Sequence, residues 1–249
     1  MDQLELFGDT QKNPKKTMNF CLPDSEGSGK ITKQPGLTRL RELSIDAYDA
    51  AVCATMSELP IEENISRFVE KVCRAGDGIV NGGTTGGSPE ARAAAERAAS
   101  DRGDPDVLVV LKAAYKVQHE IHRLSGFLRF NPDPGGVYIA RCAPDHFILP
   151  ALAEHFTLRF GETPWAIIDE KRLLCLFRGK GGEARIIPAP PDSESAGPAS
   201  AAPKNRAGDY WEDLWRLYHR STNNETKKNL SLQRQFIPER YRKYLTELG

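Results

Sequence analysis

The 249-residue chain carries 34 Lys+Arg against 34 Asp+Glu, so no net field draws it to nucleic acid or to an anionic membrane, and any such function must rest on local charge. An apolar fraction of 39% and a charged fraction of 27% suffice for one good-sized core with polar appendages, and no run approaches the roughly 20 apolar residues that span a bilayer. The five cysteines (Cys21, Cys53, Cys73, Cys142, Cys175) are odd in number and lack CxxC spacing, which argues against a disulfide framework and a zinc knuckle and leaves the cytoplasm as the expected compartment.

Taken in chain order, residues 1–36 are polar, rich in Lys, Gly, Pro and Ser, and are expected to form a flexible tail. The remainder, 37–249, is expected to be one α+β domain with flexible segments at about 76–87 and 189–208. Apolar residues recur at helical spacing from Leu37 to Cys73, and Pro60 should divide that stretch into two helical pieces. Ser88-Pro89-Glu90 reads as a helix start, with serine as the cap and proline in the first turn; Gly103-Asp104-Pro105 should end that helix. A longer helix follows from Asp106 to Ser125, broken at Ser125-Gly126.

Phe127–Phe130 alternates as a strand does, Asn131–Gly136 is turn sequence, and Val137–Cys142 is the returning strand. A helix from Pro144 to about Arg159 and three strands at Trp165–Asp169, Arg172–Phe177 and Ala184–Ile187 complete the core. Hairpin, helix and three-stranded meander together predict an antiparallel five-stranded sheet flanked by N- and C-terminal helices. Trp211–Tyr218, Lys227–Phe236 and Pro238–Leu248 are expected to be helical.

Four features carry candidate chemistry. Between Arg216 and Lys243 lie eight Lys/Arg and two acids, interleaved with Trp215, Tyr218, Phe236, Tyr241 and Tyr244. Such cations can neutralise phosphates and such rings can stack on bases, although the same pattern also suits a solvated helical face whose aromatics pack on the sheet. His119 and His122 share a helical face beside Glu120, but the spacing is not that of a zincin and no third ligand is evident, so no metal and no cofactor are expected. Glu120, His122 and Asp169 are the acid/base candidates if the protein is an enzyme.

At the start of the chain, Gln3-Leu4-Glu5-Leu6-Phe7 resembles the bacterial sliding-clamp-binding pentapeptide. Apolar side chains stranded on a polar tail can anchor an extended segment in a preformed groove, which makes Gln3, Leu4, Leu6 and Phe7 the expected clamp contacts.

Four signatures run in order along the second half of the chain. They are Lys116-Val117-x-x-Glu120-x-His122-Arg123-x-x-Gly126-Phe127-Leu128-Arg129-Phe130, then His155-Phe156-x-x-Arg159-Phe160, then Trp165-x-Ile167-x-Asp169-x-x-Arg172. The last combines Tyr218-x-x-Ser221 with Lys228-Asn229 and Pro238-x-Arg240-Tyr241. On these residues the chain resembles the bacterial "probable DNA metabolism" proteins, a domain of unknown function. The resemblance implies a radical-SAM DNA repair or modification protein as partner; some relatives are fused to a uracil-DNA-glycosylase-like domain. Two positions depart from the pattern: Lys228 stands where arginine is expected, and Arg242 follows Tyr241 where tryptophan is expected.

Together these features predict a cytoplasmic accessory protein of DNA metabolism or repair, without membrane contact and tethered to the sliding clamp. It would bind DNA or its protein partner through Arg123, Arg129, Arg159, Arg172, Arg216, Arg220, Lys227, Lys228, Arg234 and Arg240. The alternative is an enzyme that acts on a nucleobase or a DNA end through Glu120, His122 or Asp169.

Overall fold

A computed structural model describes residues 35–78, 88–190, 214–218, 220–222, 229, 231 and 236–245. The expected tail with its clamp-like peptide, the linker residues 79–87 and 191–208, and Lys227, Lys228 and Arg234 lie outside the described residues.

The N-terminal layer is helical: α1 (Pro35–Leu43), α2 (Ile45–Thr55), α3 (Glu62–Asp77) and α4 (Pro89–Ser100). The stretch before Cys73 therefore breaks at Ser44 as well as near Pro60. The Ser44 side chain accepts from the Ala47 N–H, a local bond that starts α2 where a continuous helix would have run on. Helix α3 extends past the expected linker boundary, because Gly76 is where α1 approaches it: a Cβ there would lie 2.7 Å from Leu43 Cδ1.

Helix α5 (Pro105–Phe127) is the spine of the fold. Asp104 caps it by accepting from the Asp106 and Val107 N–H groups, and Lys71 of α3 bridges Asp104 and Asp106 at 2.6 and 2.7 Å. Its first half buries Val107, Val110 and Ala113 among α1–α4. Its second half buries Ala114, Val117, Ile121 and Leu124 in a different cluster, with Trp165, Ile167 and Leu176 of the sheet. One amphipathic helix thus joins the helical layer to the sheet layer.

The sheet has the order β1 (Asn131–Pro132), β2 (Tyr138–Cys142), β3 (Trp165–Asp169), β4 (Leu174–Arg178) and β5 (Arg185–Pro188). Three pairs are antiparallel, but β2 and β3 run parallel, with Tyr138 opposite Trp165 and Cys142 opposite Asp169. The expectation of a purely antiparallel sheet is corrected: the sheet is mixed. Helix α6 (Leu149–Phe160) carries the chain from the end of β2 back to its start, and a strand entered after such a crossover lies parallel to its neighbour.

The first hairpin strand is also displaced. Phe127 closes α5, and pairing begins only at Asn131-Pro132, inside the expected turn. The expected strand is not exposed hairpin but core lining: the Phe130 ring lies 5.0 Å from Phe156 and 4.7 Å from Phe160. Pro132 is tolerated because β1 is an edge strand, and Gly136 supplies the φ of 79° that the turn into β2 needs.

A short helix, α7 (Glu239–Arg242), bonds to Glu120 of α5 through Tyr241, and the turn after it reaches Glu170, just past β3, through Tyr244. No helix among the described residues is long and apolar enough to cross a membrane.

Candidate functional site

The parallel pair β2–β3 ends at Cys142 and Asp169, and the turns leaving those two strands form one rim of the molecule. Loops at the carboxyl ends of parallel strands are free of ladder hydrogen bonds and so are common ligand positions. Here the loop 143–148 between β2 and α6 is held from two sides by carboxylates.

Glu120, on the buried side of α5, is only 4% exposed. Its Oε1 accepts from the Asp145 N–H at 2.8 Å and its Oε2 from the His146 N–H at 2.9 Å. The Tyr241 hydroxyl of α7 donates to the same Oε1, and Arg240 Nη2 approaches it at 3.4 Å. Burial and this hydrogen bond to Glu120 push the Tyr241 phenol well above its ordinary value, so it stays a donor throughout the physiological range. One carboxylate therefore fixes both the loop and the C-terminal helix.

Asp169 is fully buried and performs the matching task on the other side. It accepts from the Lys171 and Arg172 N–H groups at 3.0 and 3.2 Å, shaping the turn in which Leu173 takes φ 52°. Arg172 Nη1 closes on Asp169 at 2.7 Å, while its Nη2 reaches Glu58 at 2.6 Å and the Asp145 carbonyl at 2.9 Å. The Arg172 hydrogen bonds hold the Glu58 carboxyl below its ordinary range. Beside it Glu170 accepts from the Tyr244 hydroxyl at 2.6 Å and from Lys243 at 3.3 Å. Burial first, then this bond to Glu170, raises the Tyr244 phenol.

Above this framework lies an open cleft of about 560 Å³, lined by Tyr115, Lys116, His119, Glu120, Arg123, Asp145, His146 and Arg240. Tyr115, Lys116, His119 and Arg123 stand on one solvent-facing stripe of α5. Neither Lys116 nor Arg123 pairs with a carboxylate of the described residues. The two carboxylates in the cleft are already engaged: Arg240 holds Asp145 at 2.7 Å, and Glu120 is committed beneath it. Tyr115 is 66% exposed, with its ring 5.6 Å from that of His119. The arrangement suits an anionic ligand that also offers a flat ring.

The acid/base candidates are not brought together. Glu120 and His122 are two residues apart on α5 and point to opposite sides, one buried and the other exposed. Asp169 reaches the loop 143–148 through Arg172, whose Nη1 donates both to Asp169 and to the Pro144 carbonyl, whereas Glu120 holds the Asp145 and His146 N–H groups of that loop directly. Both carboxylates spend their acceptor capacity on backbone N–H groups and cations, which is the behaviour of positioning residues. Among the described residues no group of three or more His, Cys, Asp or Glu is placed to hold a metal ion.

The basic candidates divide. Arg123 and Arg240 line the cleft, whereas Arg172 is bound into the Asp169–Glu58 framework. Arg129 lies over the Trp215 ring at 5.8 Å and donates to the Gly126 carbonyl at 2.8 Å. Arg159 is exposed in the last turn of α6, Arg216 is half-buried and Arg220 is exposed. The interleaved aromatics divide as well: Tyr241 is core, while Tyr218 and Phe236 are 56% and 60% exposed.

The sequence expectations do not include Tyr115, Lys116, Asp145 and His146 among the site residues. Tyr115 had a signal, since it falls on the same helical stripe as Lys116, His119 and Arg123. Asp145 and His146 had none, because only folding brings that loop over α5.

A family model described as a domain of unknown function (DUF4130) matches residues 90–247, more than half of the chain and inclusive of every residue of the cleft. No curated protein and no solved structure gives a significant match.

Proposed function

Since the chain belongs to this family of unknown function, we propose its role from its own residues: an accessory protein of DNA metabolism or repair that holds nucleic acid in the α5 cleft. The observation that carries this reading is a pair of cations, Lys116 and Arg123, that meet no carboxylate among the described residues and stand beside an exposed tyrosine. Phosphate neutralisation by surface Lys and Arg is the general source of nucleic-acid affinity, and an exposed ring adds stacking. Tethering to the sliding clamp through Gln3, Leu4, Leu6 and Phe7 belongs to the same proposal and rests on the pentapeptide alone. So does association with a radical-SAM DNA repair or modification protein, which rests on the ordered signatures.

Native gel shift of the full chain with single- and double-stranded DNA over a salt series tests the nucleic-acid part. Binding that weakens steeply with salt is expected; no shift at low salt, or a shift indifferent to salt, removes it. Titration of a labelled peptide covering residues 1–12 with a bacterial sliding clamp tests the tether. Binding that disappears on Leu6→Ala with Phe7→Ala is expected, and a parent peptide that does not bind ends that part of the proposal.

A further inference from the structure

We propose that the α5 cleft is a single-strand site that seats one unpaired nucleotide, with Tyr115 stacking on its base and Lys116, Arg123 and Arg240 holding the flanking phosphates. The proposal rests on the nucleic-acid reading above and sharpens it to one form of the polymer.

Arg240 is the first reason. Among the described residues its hydrogen bonds and ion pairs, to Glu120, Asp145 and the Tyr241 hydroxyl, run through a single nitrogen, Nη2, at 3.4, 2.7 and 3.1 Å. The guanidinium also lies over the Tyr241 ring, 4.7 Å from its centroid. A planar fork anchored at one corner in this way keeps the donors on Nε and Nη1 for another acceptor, and its side chain is 43% exposed. It is a pre-positioned phosphate donor whose orientation has been fixed by the framework beneath it.

The second reason is the placement of the aromatic surface. Tyr115 and His119 form a tilted ring pair on the cleft wall, and the tyrosine face is among the most exposed aromatic surfaces described. Lys116 and Arg123 are seven residues apart, about 10 Å along α5, so one strand crossing the helix meets both while a base lies against the rings. The cleft, about 560 Å³ and open to solvent, has room for a nucleotide laid against its wall.

The third reason is what a duplex could not use. Its bases are paired and stacked, so their faces are closed to Tyr115 and only the phosphates and the base edges in the grooves stay accessible. An unpaired strand gains both terms, and the difference should appear as a preference for single strands that depends on Tyr115.

The test is fluorescence anisotropy of the full chain with a labelled oligothymidylate and with a matched duplex at one low salt concentration. The parent should bind the single strand roughly ten-fold more tightly than the duplex, and Tyr115→Ala should weaken single-strand binding alone by about that factor. Tyr115→Phe should keep the preference, and an unchanged melting midpoint shows that the exposed substitution has not disturbed the fold. Equal affinities for the two forms, or a Tyr115→Ala effect shared equally by both, overturn the single-strand assignment and leave the nucleic-acid reading standing. Absence of binding to either form overturns both.

Discussion

Glu120→Ala is expected to destabilise the protein by about 3–5 kcal/mol, the range for a buried charged partner removed from a satisfied network. The reason is the number of donors left behind. The Asp145 and His146 N–H groups, the Tyr241 hydroxyl and Arg240 all converge on this one carboxylate, which is 4% exposed. Alanine leaves them facing a gap beneath the cleft. At about 2–4 °C per kcal/mol for a chain of this size, the melting midpoint should fall by roughly 10 °C. Glu120→Gln keeps one acceptor but turns an amide NH2 toward an N–H or the Tyr241 hydroxyl, so it should fall in between. Tyr241→Phe removes a single member, and the Glu120/Tyr241 double-mutant cycle should show a coupling of about 1–3 kcal/mol. A Glu120→Ala protein that melts with the parent would mean that the loop and α7 are held by something else.

Arg172→Met has the second largest expected effect, about 3 kcal/mol or more, because it leaves Asp169 buried and charged without its cation. It also frees Glu58 and the carbonyls of Pro144 and Asp145. Asp169→Asn should cost less, about 1–2 kcal/mol, since an amide oxygen still accepts from the Lys171 and Arg172 N–H groups and Arg172 keeps Glu58. The pH dependence separates the cation from the packing. Arg172 lowers the Glu58 pKa in the folded state, so their pairing contributes stability above the ordinary glutamate range and loses it as pH falls through the lowered folded value. Thermal melts between pH 3 and pH 7 should show an acid limb in the parent that is shallower in Arg172→Met. An identical limb in both proteins would remove Glu58 from the network.

The elements are more legible in the sequence than their arrangement is. The starts of α4 and α5 are evident because serine and aspartate caps followed by proline are local chemistry. The boundaries of β3 are evident because its apolar run, buried on both faces, is bounded by turn residues. The parallel pairing of β2 with β3 is implicit in the strand–helix–strand order, yet a hairpin before it and a meander after it favour the antiparallel alternative. Asn131-Pro132 reads as turn sequence because proline is rare in strands, and only its edge position excuses it.

The site is less legible for a physical reason. Glu120 and Asp169 stand out as signature carboxylates, and composition cannot distinguish a carboxylate poised for proton transfer from one saturated by backbone N–H groups. That distinction lies in contacts over 25 and 121 residues of separation, from Glu120 to Asp145 and to Tyr241. The basic stretch at the C-terminus presents the same ambiguity. Arg240 and Lys243 are tied to Asp145 and Glu170, whereas the two cleft cations that pair with no carboxylate of the described residues sit on α5, where the sequence singles out Arg123 but gives Lys116 no mark beyond its place in a signature.

The cleft's part in nucleic-acid binding is measured most directly by the salt dependence of affinity for a labelled single-stranded oligonucleotide, compared between the parent and the Lys116→Gln/Arg123→Gln double variant. Each phosphate that is no longer neutralised should flatten the slope of log K against log salt by about 0.7, so the pair should flatten it by about 1.4 and weaken binding most at low salt. Two lines of equal slope and equal affinity would contradict the assignment of the cleft as the DNA surface.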